Sequence, residues 1–114
     1  EGTWNNFTIV GGTTFTNVTT SYTKIGQMVF VICQVFVNTN TDSSNLMQIS
    51  GLPYTVAAGD GAGSLAYSNA TLPDALSIQL QGTSAYFYGS GGSSLTPSTF
   101  SYKHLRFAAL YKHA

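Results

Sequence analysis

The chain has 114 residues, of which only 7% are charged, and its four cations and four carboxylates cancel to a formal net charge of zero. That length supports one domain with a real core, short enough that self-association would add usefully to its stability. Lys24, Lys103, Arg106 and Lys112 are too scattered to form a basic footprint for a phosphate backbone, and no apolar run reaches the roughly 20 residues that span a bilayer, so neither nucleic-acid binding nor membrane insertion is expected. With charge so far below the roughly 25% of ordinary soluble domains, solubility rests on hydroxyls and amides. The opening Glu1-Gly2-Thr3-Trp4 lacks the basic start of a signal peptide and reads as the beginning of a fragment from a longer protein.

Short segments rich in β-branched and aromatic residues recur along the chain, punctuated by Gly, Asn, Asp, Ser and Pro. Strands are predicted over Trp4–Val10, Thr14–Thr19 and Tyr22–Ile25, with Gly11-Gly12 making a tight reversal between the first two. Gly26-Gln27 links the third to a long strand, Met28–Val37. Asn38–Asn45, NTNTDSSN, is an exposed tip whose side chains can bond their own backbone. Leu46–Ser50 follows, and must end at Gly51-Leu52-Pro53 because Pro fixes φ and offers no ladder donor. Tyr54–Ala57 and Ser64–Ser68 are read as separate strands, joined by Gly59–Gly63, GDGAG, as a flexible surface connection.

Leu72-Pro73-Asp74-Ala75 has a turn signature ahead of Leu76–Gln81, where Leu76, Ile78 and Leu80 alternate with polar residues as in a half-buried strand. In Ala85–Tyr88, Phe87 is assigned to the core and Tyr86 and Tyr88 share the opposite face. Gly89–Ser94, GSGGSS, is a second flexible connection, and Leu105–Lys112 closes the chain. The spacing predicts an all-β, antiparallel β-sandwich of jelly-roll type over the single domain 1–114.

Met28–Val37 is the anomaly. Val29, Val31, Cys33, Val35 and Val37 fall on one face and Met28, Phe30, Ile32 and Phe36 on the other, with Gln34 alone breaking the apolar pattern. A half-solvated antiparallel strand should alternate apolar with polar. The rest of the chain shows almost no helical periodicity to supply a covering layer, which leaves a second copy of the chain. Met28, Phe30, Ile32 and Phe36 are therefore the candidate subunit interface, placed around a symmetry axis.

Three segments in order carry a resemblance: Gly2-Thr3-Trp4, then Tyr22-Thr23-Lys24-Ile25-Gly26-Gln27-Met28-Val29-Phe30-Val31, then Ile49-Ser50-Gly51-Leu52-Pro53-Tyr54. They resemble the GTW, YTKIGN-V-F-V and I-x-GLPF segments of the C-terminal domains of bacteriophage tail fibres and tailspikes, with Gln27 for Asn and Tyr54 for Phe. The resemblance covers the first half; beyond Ala57 it rests on length, Gly and Ser content and a closing strand. It implies a homotrimer at a fibre tip in the virion that binds host-surface glycans or registers the shaft before it. A purely structural trimerisation domain, and an extracellular trimeric ligand of the C1q or tumour-necrosis-factor type, are the alternatives.

No catalytic, cofactor or metal site is expected. The carboxylates Glu1, Asp42, Asp60 and Asp74 are few and mostly in turn settings, and His104 and His113 occur without a nucleophile elbow or a full set of zinc ligands. Cys33, the single cysteine, is read as a buried thiol within the Val face. Asn6, Asn17 and Asn69 begin sequons of the kind that arise by chance in a Thr-rich chain. Neutral glycans are held by aromatic faces with amide and hydroxyl donors. Tyr86 and Tyr88, sharing a face beside GSGGSS, are the candidate receptor contacts, while Trp4 anchors the first strand.

Overall fold

A computed structural model describes residues 2–4, 7–10, 14–38, 45–69, 77–89 and 95–114. Its elements are β1 (Thr8–Ile9), β2 (Phe15–Ile25), β3 (Met28–Val37), β4 (Gln48–Ser50), β5 (Val56–Ser68), β6 (Ser77–Gln81), β7 (Ser84–Tyr88), a 3₁₀ turn (Pro97–Phe100) and β8 (Lys103–His113). All strand pairs are antiparallel, in one curled sheet of order β1-β4-β7-β6-β5-β8-β3-β2. The all-β antiparallel expectation holds at that level.

The N-terminal segment reaches both ends of this order. Thr8 and Ile9 pair with Ser50 and Ile49 on β4, while Gly2 exchanges backbone hydrogen bonds with Tyr22 on β2, at 3.1 and 2.9 Å. Between them Trp4 is buried. Thr20 Oγ1 donates to the Trp4 carbonyl at 2.8 Å and accepts from the Trp4 N–H at 3.3 Å, and the indole Nε1 donates to the Ser21 carbonyl. A buried hydroxyl is tolerable there because it satisfies two backbone groups that the ladder leaves open. The segments Gly2–Trp4, Tyr22–Lys24 and Gly51–Tyr54 thus meet in space: the Tyr22 and Tyr54 rings pack edge-on at 5.7 Å, and Lys24 Nζ lies 5.6 Å from the Tyr54 ring centre.

The concave side holds the core. Val29, Val31, Cys33, Val35 and Val37 are fully buried, with Leu105, Phe107, Ala109 and Tyr111 of β8 and Ile78, Leu80 and Phe87 from β6 and β7. Phe87 meets Phe107 edge-on at 5.7 Å although two strands separate β7 from β8 in the sheet, so the curl brings the halves face to face. Tyr111 is pinned by its hydroxyl, which donates to the Tyr54 carbonyl and accepts from the Tyr54 N–H. Burial pushes the Cys33 thiol well up from its ordinary value, consistent with an inert core thiol.

The structure corrects several predicted boundaries. Thr14–Thr19 and Tyr22–Ile25 are parts of one strand, β2, bent by a register shift between Thr16 and Thr19. Among the described residues of Trp4–Val10, Thr8–Ile9 is strand and the rest are not. GDGAG is no surface connection but the middle of β5, which runs unbroken from Val56 to Ser68. Its glycines serve close approach: a Cβ on Gly61 would lie 2.9 Å from Leu80 Cδ1, and one on Gly63 would lie 2.9 Å from Ile78 Cγ2. Gly26 does make the expected turn, at φ 59°, where a side chain would be strained. The turns at Gly11-Gly12 and Leu72–Ala75, and most of NTNTDSSN and GSGGSS, lie outside the described residues.

Candidate functional site: the outer face of the sheet

The convex face of β3 is built by simple alternation. Since Val29 to Val37 point inward, Met28, Phe30, Ile32, Gln34 and Phe36 point outward, and the register sets each beside an outward residue of β8: Met28 by Lys112, Phe30 by Leu110, Ile32 by Ala108, Gln34 by Arg106, Phe36 by His104. On the other flank Ile25 pairs with Met28 and Thr23 with Phe30. Phe30 is 43% exposed, Ile32 39%, Leu110 51% and Ile25 76%. Phe30, Ala108 and Leu110, with Gly63 and Ser64 of β5, line a shallow groove of ≈ 220 Å³. Large apolar side chains standing together in solvent are the mark of a surface that another surface covers.

The four residues singled out from sequence all lie on this face but not in one patch. Met28, Phe30 and Ile32 are contiguous. Phe36 sits beyond the Gln34–Arg106 pair and is half-buried by its own neighbours, with His104 at 4.9 Å and Tyr102 at 6.2 Å between ring centres. Tyr102 itself holds a left-handed φ of 58°, an uncommon conformation for a bulky residue.

Arg106 donates from Nε to Gln34 Oε1 at 3.0 Å, and from Nη2 to the same oxygen. The pair forms part of a cleft of ≈ 250 Å³ with Tyr67, His104 and Leu105. Tyr67 reaches it through a bulge. Leu65 pairs with the buried Phe107, yet Tyr67 pairs with the exposed Arg106, so one inserted residue at 66 turns Tyr67 from the core side to the outside. Period-2 reading of β5 cannot show this, because residues 65 and 67 would then share a face.

Tyr86 and Tyr88 stand half-buried on the outer side of β7, with Phe87 inward as assigned. Their surroundings are neutral and polar. Tyr86 pairs with Gln48 on β4 and Gln79 on β6, and Tyr88 with Ser77; nearby, Gln48 Nε2 donates to Ser50 Oγ and Ser84 Oγ, and those two hydroxyls lie 2.9 Å apart. A separate groove of ≈ 410 Å³ opens where β5 parts from β6, lined by Val56, Ala57, Gly61 and Gln79 to Gly82. Among the described residues no group of three metal-binding side chains occurs. The side chain of Asp60, and Glu1, Asp42 and Asp74 entirely, lie outside what the structure describes. No family model, no curated protein and no solved structure matches this chain.

Proposed function

We propose that this chain is a non-enzymatic tip domain of a bacteriophage tail fibre or tailspike, a homotrimer through the outer face of β3 and β8 that attaches the virion to host-surface glycans. In this reading the two halves of the curled sheet are the layers of a jelly-roll-like sandwich. The observation that carries the self-association is the cluster of Ile25, Met28, Phe30, Ile32 and Leu110 standing outside a core already complete without them. A second copy of the same chain fits that cluster because the patch carries no charge of its own, Arg106 and Lys112 lying at its two ends. Three Arg106 guanidiniums would repel one another on an axis, so the axis belongs at Phe30 and Leu110, with Phe36 at the margin. Glycan attachment draws support from Tyr86 and Tyr88 among the amides and hydroxyls of β4, β6 and β7, with avidity from three equivalent sites. The same apolar cluster equally supports a purely structural trimerisation domain.

Light scattering on the purified domain tests the assembly. Three chain masses of 12.1 kDa are expected, collapsing to one with Phe30→Asp, whereas Phe36→Asp, at the margin, should have the smaller effect. A wild-type monomer at micromolar concentration overturns the proposal. Loss of soluble fibre on deleting the domain, with host adsorption unchanged by the Tyr86→Ala and Tyr88→Ala double variant, would leave the structural role alone.

A further inference from the structure

The Arg106 cleft is not accounted for by an apolar interface. Its chemistry differs from the rest of the face: a guanidinium, an amide, an imidazole and a phenol within one hollow of ≈ 250 Å³. Three features set it apart. The bulge at residue 66 turns Tyr67 outward beside Arg106, leaving the residue 55% exposed where regular pairing would turn it to the core side. Arg106, the one arginine of the chain, is held in position among the described residues by the neutral Oε1 of Gln34, an amide that orients the guanidinium without carrying a charge to cancel it. The backbone of His104 is fixed in turn, its N–H donating to Asn69 Oδ1 at 2.8 Å and its carbonyl accepting from Ser68 Oγ at 2.8 Å, while its ring packs at a tilt against Phe36.

We propose that this cleft is a binding site for an acidic sugar, in which the Arg106 guanidinium takes the carboxylate, the exposed face of Tyr67 takes the pyranose ring, and Gln34 Nε2 and the His104 ring bond its hydroxyls. The planar guanidinium matches a carboxylate in two parallel hydrogen bonds, and because Nε and one Nη2 hydrogen are taken by Gln34, the group is held with its Nη1–Nη2 edge left to the ligand. An aromatic face beside it supplies the apolar contact that a sugar ring offers and a simple anion lacks. Position supports the assignment as well: the cleft lies past the Ile32–Ala108 pair, at the margin of the apolar cluster, where packing of that cluster against other copies leaves it at the rim. The inference rests on the glycan-attachment reading and narrows it to carboxylate-bearing glycans at a place other than Tyr86 and Tyr88.

The test is a titration of the intact domain by calorimetry, with the Arg106 Nε–H resonance followed by NMR. The ligands are trigalacturonate, its methyl ester, sialyllactose, a panel of neutral oligosaccharides, and acetate with inorganic phosphate as simple anions. The expected result is that at least one acidic sugar binds and moves the Arg106 signal. Its affinity should fall at least tenfold with Arg106→Gln and with Tyr67→Ala, and esterification should weaken trigalacturonate similarly where that is the sugar bound. Neutral sugars binding equally well, untouched by either variant, would overturn the cleft while leaving glycan attachment standing. Absence of binding by any sugar, acidic or neutral, would sink both. Acetate or phosphate competing as tightly as the sugar would reduce the cleft to an adventitious anion site and overturn the proposal.

Discussion

Replacing Gly61 or Gly63 by alanine separates two accounts of GDGAG by the sign of the effect. In a slack surface connection, Gly→Ala restricts the unfolded chain and stabilises by about 0.4–1 kcal/mol. In β5 the new methyl group has no room. At Gly61 it would stand 2.9 Å from Leu80 Cδ1, 3.0 Å from Leu80 Cβ and 3.1 Å from Tyr111 Cβ; at Gly63, 2.9 Å from Ile78 Cγ2 and 3.2 Å from its Cβ. A terminal methyl can swing aside, but Leu80 and Tyr111 are buried and their Cβ atoms move only with the backbone of β6 and β8. Overpacking of this kind costs about 1–3 kcal/mol. For a chain of this size that corresponds to roughly 4–12 °C in Tm, taking about 4 °C per kcal/mol. Thermal and urea unfolding at one fixed protein concentration, followed by the fluorescence of Trp4, measure it. Alanine variants as stable as the parent or more so would refute the close packing of β5 against β6.

Thr20→Val should lower stability by about 1–3 kcal/mol, because the Trp4 N–H and carbonyl both lose their buried partner; a red-shifted Trp4 emission in the native state would mark loosening of the N-terminal segment, and unchanged unfolding curves would count against its role as the seam. Cys33 makes stability depend on pH in alkali. Burial raises its folded value, so the native state keeps a proton that the unfolded chain gives up. The contribution is whole below the ordinary thiol value of about 8.5 and is lost as pH rises toward the folded value, with a limiting slope of about 1.4 kcal/mol per pH unit. Cys33→Ala should flatten the profile between about pH 8.5 and 10, below the ordinary tyrosine value, and equal slopes in the two proteins would contradict the burial argument.

What the sequence made legible was whatever depends on neighbours along the chain. The alternation in Met28–Val37 divided two faces correctly, and the fully buried Val29 to Val37 set belongs to the core. Phe87 inward and the link at Gly26-Gln27 were readable for the same reason, since each follows from local geometry. GDGAG failed because the reason for Gly61 and Gly63 lies largely on β6, nineteen residues beyond Gly61 at Leu80 and fifteen beyond Gly63 at Ile78, and composition alone cannot distinguish a glycine that gives slack from one that gives clearance. Tyr67 and Arg106 were missed as a pair for a related reason. Their meeting depends on a bulge in β5 and on which strand lies beside it, and β8 joins β5 from almost forty residues away. The segment Ser64 to Ser68, SLAYS, carries no signal of that bulge.

The two halves of the sheet supply their own control for the meaning of the outer face. Both present the same kind of inner surface, and β3, β4, β6 and β8 alternate in and out along their length. On β6 the outward positions are Ser77, Gln79 and Gln81, and on β4 they are Gln48 and Ser50. These are the residues expected of a chain that stays soluble with so few charges. On β3 the equivalent positions are Met28, Phe30 and Ile32, continued by Leu110 on β8 and Ile25 on β2. The core gives no reason for the difference, because Val29, Val31 and Cys33 are already fully buried behind them. Burying the remaining exposed part of each such side chain, two-fifths to a half of a full gain of about 1.5–3 kcal/mol, is worth about 0.6–1.5 kcal/mol. Summed over Met28, Phe30, Ile32 and Leu110 this is about 2.5–6 kcal/mol per chain, before the cost of association. A contribution of that size is a substantial share of the total stability of a small domain. It also makes the unfolding midpoint rise with protein concentration for as long as the face is covered by other copies of the chain. Phe30→Asp should abolish that concentration dependence while leaving the β3 core contacts in place, which distinguishes a lost interface from a lost fold.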